Sequence, residues 1–335
     1  MNITVVGSGG WGTALALVLL ENGHQVSMWC RRAEKCQEMQ ESRENPVLPG
    51  VKLPQALELT CDLNVLTQSQ VVVLATPSFA VRATSKQIAP YLKAGTVLVS
   101  VAKGIEKDSC LLLHQVIEEE IPNCPVVVLS GPSHAEEVAR GLPTGVVVAS
   151  ENKEAALLAQ DIFMNRNMRL YTSPDILGVE IGAALKNVVA LCTGCCVGMG
   201  YGDNTKTLIM TRALTEMARL GVAMGANKET FAGLSGLGDL IVTCTSMHSR
   251  NCRAGIAIGK GTPVAEAVGG KDGTVVEGYY AAASARQLAH KMGVEMPIAE
   301  GAYQVLYEGK DPHVILGQLM VRERRSELEL EEIWL

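Results

Sequence analysis

At 335 residues the chain exceeds one ordinary domain, so two domains are the first expectation, and its 47 % apolar and 19 % charged residues suit well-buried cores. A net charge of -6 and only 4 % aromatic residues leave no basic footprint and few stacking rings, which excludes nucleic acid as an expected partner. The ten cysteines are scattered and the first strand begins at Asn2 with no basic, apolar leader before it, so the expectation is reduced thiols in a cytoplasmic protein. No apolar run reads as approaching the ~20 residues of a bilayer span, so no stable membrane insertion is expected. Cys192, Cys195 and Cys196 cluster, but no second CxxC or histidine pair stands at zinc spacing, and no metal is expected.

In chain order, Ile3–Val6 reads as a strand, Gly7-Ser8-Gly9-Gly10-Trp11-Gly12 as a turn, and Thr13–Leu20 as a helix. Strand, glycine turn and helix together give a G-x-G-x-x-G match weight. Gly7 permits the tight turn, Gly9 lets backbone approach a pyrophosphate, and Gly12 lets the helix pack on the strand. The free N–H groups of the helix then face the phosphates. A second strand, Gln25–Trp29, ends beside Arg31 and Arg32. An NAD-specific site usually places an acid there for the ribose hydroxyls. Arginine instead clamps a 2′-phosphate and stacks on adenine, so NADP(H) is expected to be preferred, with NAD(H) possible. Glu34 could still reach a ribose, and solvated surface charge is the alternative for both arginines.

Residues 43–54 read as a loop and 63–68 as a short helical piece. Val71–Ala75 and Thr96–Val101 read as buried strands, with a helix over Val81–Leu92 between them. Ligands lie beyond the carboxyl ends of such strands, so Thr76-Pro77-Ser78 should border the cofactor. Lys103, followed by Gly104, should stand where substrate and nicotinamide meet, unless it is an ordinary loop lysine. A helix over Ser109–Glu120 and a strand over Val126–Leu129 lead to Gly131-Pro132-Ser133, where Gly131 and Ser133 are candidate contacts. His134 invites a general-acid reading because its usual pKa is near neutral, but a stronger candidate follows. Gly145–Ser150 and Met168–Tyr171 complete the strands, with a helix over 153–165.

From Ser173 strand runs give way to helical ones. The expected fold is an α/β N-terminal Rossmann-like domain with a mostly parallel sheet, followed by an all-α C-terminal domain. Residues 1-173 would bind the dinucleotide and 174-335 the substrate. A long, weakly polar helix over 175–200 carries Lys186. A lysine in such a helix is costly to bury without a partner, and burial lowers its pKa toward a usable acid or base. Lys186 is the catalytic candidate, a snorkelling lysine the alternative. A second long helix covers 205–225. The glycines of Gly233–Leu240 could hold Asp239 in a cleft, or Asp239 could cap the next helix. Ser249-Arg250-Asn251 opens a helix and offers hydrogen bonds, a guanidinium fork and a dipole for a phosphate. Gly273–Gly278 should start a further helix and Pro297 another, and Arg322–Glu332 reads as a solvated charged end.

Gly7–Gly12, Ala102-Lys103-Gly104, Gly131-Pro132-Ser133, Ala184-Leu185-Lys186-Asn187, Gly236–Leu240, Ser249-Arg250-Asn251 and Val275–Gly278 occur in the order found in bacterial NAD(P)-dependent glycerol-3-phosphate dehydrogenases. From Asn2 to Gly317 the chain resembles that family. The resemblance implies interconversion of dihydroxyacetone phosphate and sn-glycerol 3-phosphate, the reducing direction feeding glycerophospholipid synthesis. It implies Lys186 as general acid/base and Lys103 in contact with substrate and cofactor. Gly131, Ser133, Asp239, Ser249, Arg250 and Asn251 would hold the phosphorylated triose. Gly10, Trp11, Arg31, Arg32, Lys103, Ala135, Arg250, Val275 and Glu277 would hold the dinucleotide. Relatives often carry Ser and Tyr or Phe where this chain has Gly10 and Trp11, a change that mostly backbone contacts should tolerate. Apolar helical surface leads to the expectation of a homodimer. One rival is a related two-domain 3-hydroxy-acid or ketopantoate-type dehydrogenase. The other is a non-catalytic dinucleotide sensor, which would have no reason to keep Lys186, Asp239 and Arg250 together.

Overall fold

The computed structural model describes residues 1–269, 275–324, 326 and 327. Its first half is an eight-stranded sheet built from β1 (Asn2–Val6), β2 (Gln25–Trp29), β3 (Glu58–Thr60), β4 (Val71–Leu74), β5 (Val97–Ser100), β6 (Val126–Ser130), β7 (Thr144–Ala149) and β8 (Met168–Ser173). The order is β3-β2-β1-β4-β5-β6-β7-β8. All neighbours run parallel except β6 and β7. The strands β4, β5 and β6 are buried along their whole length, as their unbroken apolar runs require when helices cover both faces. The chain moves to one side of β1 through β2 and β3, then crosses to the other side at β4. That reversal opens a crevice beyond the carboxyl ends of β1 and β4, the place where such sheets take ligands.

Helices α1 (Gly10–Glu21), α2 (Ala33–Ser42), α3 (Val81–Ile88), α4 (Leu113–Glu120), α5 (Ala135–Val138) and α6 (Lys153–Phe163) wrap the sheet. Helix α3 stops at Ile88 and passes into a 3-10 turn at Ala89–Tyr91, so the single helix expected over Val81–Leu92 is interrupted at Pro90, whose ring removes an N–H. Likewise α4 starts at Leu113 rather than Ser109. Asp108 and Cys110 take left-handed backbone angles of +70° and +60°, which a helix excludes. The sequence reading also omits α2, α5 and the three-residue β3.

The second half is helical: α7 (Ile176–Gly198), α8 (Asp203–Ala223), α9 (Asp239–Thr245), α10 (Arg250–Gly259), α11 (Val264–Val268), α12 (Glu277–Met292), α13 (Pro297–Glu308) and α14 (Pro312–Met320). Gly273, Thr274 and residues 325 and 328–332 of the charged end lie outside the described residues, while Arg322, Glu323 and Arg324 are exposed. Helix α7 corrects the expectation that no apolar run approaches a bilayer span. It has 23 residues and is apolar enough to cross one, but 89 % of its 18-residue apolar stretch is buried inside the fold. It is the axis on which the other helices pack.

Helix α7 meets α10 backbone to backbone. Gly194 and Gly198 on α7 face Gly255 and Gly259 on α10, and a Cβ added at any of them would collide with a carbonyl oxygen of the opposite helix. Small residues four apart on both helices are what permit so close a crossing. The two halves of the chain are joined by a buried pair. His114 on α4 bonds through its ring Nδ1 and, at 3.1 Å, its backbone N–H to the carboxylate of Glu180 on α7. Burial disfavours charge on His114, but the bond to Glu180 and that carboxylate's charge outweigh it and hold its pKa above the ordinary value.

Gly255→Ala should destabilise the protein by about 1–3 kcal/mol, because one methyl must push α7 and α10 apart. Thermal or denaturant unfolding measures this, and an unchanged midpoint would show that the helices are not held at backbone contact.

Candidate active site

The glycine turn follows directly from β1. Gly7 has φ +120°, and a Cβ there would lie 2.6 Å from the carbonyl oxygen of Ala75 after β4. Gly12 is equally enclosed, between the Gly7 carbonyl and Ala75. A Cβ at Gly9 would meet nothing within 4 Å, so the turn is tight on the sheet side and open toward the crevice. Gly9 is the N-cap of α1 and supplies no side chain to its leading N–H groups. Trp11 Nε1, Thr76 Oγ1, Ser100 Oγ, Ser130 Oγ and His134 Nε2 are buried without a hydrogen-bond partner among the described residues. These five lie in the glycine turn or at and beyond the carboxyl ends of β4, β5 and β6, while a sixth such atom, Ser85 Oγ, is on α3. An open helix N-terminus ringed by unpaired buried donors and acceptors fits a pyrophosphate-bearing dinucleotide.

Arg31 and Arg32 follow β2 and are exposed, as is Glu34. Two nearby residues that sequence reasoning missed brace the turn. Lys35 Nζ donates to the Ser8 carbonyl at 2.7 Å, and Asn45 Nδ2 donates to the same oxygen at 3.1 Å and to Thr13 Oγ1 at 2.7 Å. Ala135 begins α5, close beside Gly10.

The chemical centre lies between β5 and β6 on one side and α7 and α9 on the other. Asp239 is 1 % exposed and accepts from two lysines. Lys186 Nζ donates to its Oδ1, and Lys103 Nζ donates to its Oδ2 at 2.7 Å and to the Gly131 carbonyl at 3.3 Å. Lys186 also donates to Thr243 Oγ1 at 2.8 Å, and that hydroxyl donates to the Asp239 carbonyl at 2.6 Å. Thr243 was missed, although its spacing of four from Asp239 places both on one helix face. The local backbone explains how the acid reaches the lysine. A π-helical turn at Leu234–Gly238 feeds α9, and Gly182 and Gly236 let that turn touch α7 and Phe231 through bare backbone.

Burial pushes the Lys186 ammonium down, and the Lys103 charge adds to this. Asp239 opposes both, and the outcome is a pKa of about 7. Burial would raise Asp239, but the two ammonium groups outweigh it and hold the carboxyl below its ordinary value. With both lysines protonated, the cluster carries one uncompensated positive charge.

The Ser249-Arg250-Asn251 trio is arranged differently from three free phosphate ligands. Ser249 Oγ caps α10 by accepting from Cys252 N at 3.2 Å. Asn251 Nδ2 donates to Asn187 Oδ1 at 2.9 Å, and its Oδ1 accepts from Gly278 N at 2.8 Å. Both side chains are buried and bound into the scaffold, and only Arg250 is exposed. Glu277, at the start of α12, reaches across to the sheet half and accepts from Ser78 Oγ at 2.5 Å and Ser78 N at 3.4 Å. Burial raises its pKa, countered by Ser78 and by the charge of Arg250. Val275 is half-buried beside it. Ser133 Oγ donates to the Gly131 carbonyl at 2.9 Å. The His134 ring faces His248 at 5.5 Å, and burial followed by the Lys186 charge lowers its pKa. Burial also keeps the thiols of Cys192, Cys195 and Cys196 protonated, the last two pushed up to about 12 and about 11. Among the described residues no group of three His, Cys, Asp or Glu side chains is arranged to hold a metal.

Two family profiles match the chain in sequence. NAD-dependent glycerol-3-phosphate dehydrogenase N-terminus covers residues 2–156, and its C-terminus counterpart covers residues 175–317. The chain belongs to the NAD-dependent glycerol-3-phosphate dehydrogenase family. It is 52 % identical over 330 residues to the glycerol-3-phosphate dehydrogenase [NAD(P)+] of Moorella thermoacetica, covering 98 % of each chain. The enzyme of that name from Desulfitobacterium hafniense is 50 % identical over 328 residues, covering 98 % of this chain and 93 % of its own. The crystal structure of glycerol-3-phosphate dehydrogenase from Coxiella burnetii superposes with a TM-score of 0.92 at 37 % identity, over 96 % of this chain and 99 % of that one. A ketopantoate reductase from Ralstonia eutropha reaches a TM-score of 0.58 at 12 % identity, over 96 % of this chain and 100 % of its own, a likeness of fold alone.

Within this dehydrogenase, Lys103, Gly131, Lys186 and Asp239 come together through direct bonds. Ser249 and Asn251 face inward, and Glu277 is held by a residue 199 positions away that no sequence spacing could reveal. Gly104 sharpens that link, since a Cβ there would lie 2.6 Å from the Cβ of Ser78. Ser78 is thus wedged between the Lys103 loop and Glu277. Ser78→Ala should raise the KM for the dinucleotide about three- to tenfold, the loss of one hydrogen bond to a carboxylate, and leave kcat nearly intact. Steady-state kinetics with the dinucleotide varied measures this, and an unchanged KM would show that the link plays no part in binding.

Proposed function

We propose that the protein reduces dihydroxyacetone phosphate reversibly to sn-glycerol 3-phosphate at the crevice between its two halves, with NADP(H) preferred and NAD(H) accepted. The observation that carries the reading is the buried Lys186–Asp239–Lys103 cluster beside an open glycine turn. The family and its [NAD(P)+]-named relatives support the same reaction. A bound nicotinamide supplies the hydride that reaches the ketone carbon. The chain's own residues manage the charge that grows on the oxygen. Lys186 Nζ donates the proton to that oxygen, and Lys103 stabilises the charge beside it. Asp239 holds both ammonium groups in place and keeps Lys186 from losing its proton altogether. Arg250, exposed and without a hydrogen-bond partner among the described residues, anchors the phosphate, with Gly131 and Ser133 lining the same end. Ser249 and Asn251 serve by fixing the helix that presents Arg250. Fixing the phosphate holds the carbonyl at the lysines and converts binding energy into orientation.

On this reading Gly7, Gly9, Gly10, Trp11 and Gly12 take the pyrophosphate. Arg31 and Arg32 take the adenosine end, Ala135 lines the wall, and Val275 and Glu277 close the far side. Two exposed arginines in place of an acid support the NADP(H) preference. The residues up to β8 supply most of the dinucleotide contacts and those from α7 onward the proton donor and phosphate anchor, with Lys103, Gly131 and Ser133 on the substrate side and Val275 and Glu277 on the dinucleotide side crossing that division. The ten cysteines are all free, which supports a reducing compartment, the cytoplasm. Exposed Val314 and Met320 on α14 support a homodimer joined through helical surface. The product would feed glycerophospholipid synthesis.

Loss of reduced-nicotinamide absorbance with dihydroxyacetone phosphate tests the reaction. Oxidation of NADPH faster than NADH is expected, with turnover collapsing in Lys186→Ala. No oxidation with either dinucleotide, or unimpaired turnover in that variant, would overturn the reading. The pH profile carries a sign. Reduction needs Lys186 protonated, so its rate should fall as pH rises through about 7, while oxidation needs Lys186 neutral and should rise through the same range. Profiles that move together in both directions would exclude Lys186 as the proton carrier.

A further inference from the structure

Two side chains from outside the glycine turn take hold of one of its carbonyl oxygens. The Ser8 carbonyl accepts from Lys35 Nζ at 2.7 Å and from Asn45 Nδ2 at 3.1 Å. The same Asn45 nitrogen donates to Thr13 Oγ1 at 2.7 Å, inside α1. Asn45 Oδ1 accepts from Val47 N at 3.3 Å, which fixes the end of the amide that faces the turn. Asn45 is 1 % exposed and Thr13 is fully buried, so the Ser8 carbonyl is drawn into the interior.

Both donors stand on fixed backbone. Lys35 belongs to the first turn of α2. Asn45 opens a loop that is closed at its base, where Glu44 and Lys52 pair in an antiparallel bridge and Leu53 N donates to the Arg43 carbonyl at 2.8 Å. The Arg43 guanidinium adds bonds to the Leu53 carbonyl at 3.3 Å and the Leu57 carbonyl at 3.0 Å. Leu48 N donates to the Asn45 carbonyl at 2.8 Å and closes a turn at the tip. That tip stands against the start of α1, since a Cβ at Gly10 would lie 3.5 Å from the Val47 carbonyl oxygen.

We infer that Asn45 and Lys35 are positioning residues for the dinucleotide, which aim the Gly9 N–H at its pyrophosphate by fixing the Ser8 carbonyl. The inference rests on the reading that the glycine turn holds that pyrophosphate. In the planar trans peptide joining Ser8 to Gly9, the C=O and the N–H point in opposite directions. With the oxygen held inward by two donors, the N–H faces outward. Two observations agree: the Gly9 N–H makes no hydrogen bond among the described residues, and a Cβ on Gly9 would meet nothing within 4 Å. Gly9 is the N-cap of α1, so its N–H joins the free N–H groups of that helix end. A peptide that ends on glycine turns over easily, and the flip would present an oxygen to the phosphates in place of the N–H. Two donors on one oxygen oppose the flip before the ligand arrives, so the turn is ordered in advance of binding.

The test compares the full-length parent protein with Asn45→Leu, which removes the amide donors without changing charge, and with Lys35→Met, which keeps the lysine stem. Lys35 is only half-buried, so its variant decides the matter where Asn45→Leu fails to fold. Binding of NADPH is measured by titration, and binding of 2′-AMP by competition. The second ligand carries the adenosine end and its 2′-phosphate but no pyrophosphate. Each variant should raise the Kd for NADPH about tenfold, the loss of a well-aimed hydrogen bond to an anion, and bind 2′-AMP nearly as tightly as the parent. A merely structural role would weaken both ligands together, and that result overturns the inference. An unchanged Kd for NADPH in Lys35→Met overturns it as well. A parent protein that binds neither NADPH nor NADH would overturn the cofactor reading itself, and this inference with it.

Discussion

One carboxylate between two ammonium groups is the interaction on which the rest of this molecule depends. Asp239 and Lys186 are removed from water, where each ion alone would cost several kcal/mol, and Lys103 is half-buried beside them. Their mutual attraction offsets that cost only while the geometry is held. The fold holds it from three directions: the sheet through the loop after β5, the long axis α7, and α9 as it leaves the π-helical turn. The bare backbone contacts at Gly182 and Gly236 belong to the same requirement, since any side chain there would lift the turn from α7 and carry Asp239 away from Lys186. The arrangement contributes little as a stabilising ion pair. Its consequence is chemical, a lysine whose proton can be given up and taken back near neutrality.

The remaining architecture serves to bring a dinucleotide and a phosphate to that lysine. The sheet reverses direction at β1, which opens the crevice and aims the N-terminus of α1 into it. The helical half presents Arg250 from an α10 pressed onto α7 through glycine, so the guanidinium is placed relative to Lys186 by direct backbone contact. Ser78 and Glu277 connect the halves at the mouth, and His114 and Glu180 connect them at depth. The same few helices thus set both the phosphate anchor and the proton donor.

Much of this was legible in the sequence. The unbroken apolar runs of β4, β5 and β6 could only be covered strands, and a lysine inside an apolar helix had to find a partner. The glycine turn stood in the context that gives it meaning. What escaped reading was mostly non-local. Ser78 and Glu277 are far apart in the chain, and nothing in either segment announces the other. Lys35 and Asn45 sit in polar stretches that look solvated, yet both fold back onto the Ser8 carbonyl. Ser249 and Asn251 have the residue types of a phosphate site, and their bonds to Cys252 N, Asn187 and Gly278 N could not be read from spacing. Pro90 marked a helix end that its apolar spacing concealed. The membrane-length run in α7 is a core axis, a distinction that rests on burial by its neighbours and not on its own composition.

The most direct measurement of the central claim is the titration of the Lys186 side chain by heteronuclear NMR, in the parent protein and in Asp239→Asn. The account predicts that Lys186 titrates near pH 7 in the parent. Removing the opposing carboxylate should move the titration to lower pH, because burial and Lys103 then act unopposed. A Lys186 that stays protonated up to the ordinary lysine range, or one that ignores the loss of Asp239, would contradict it.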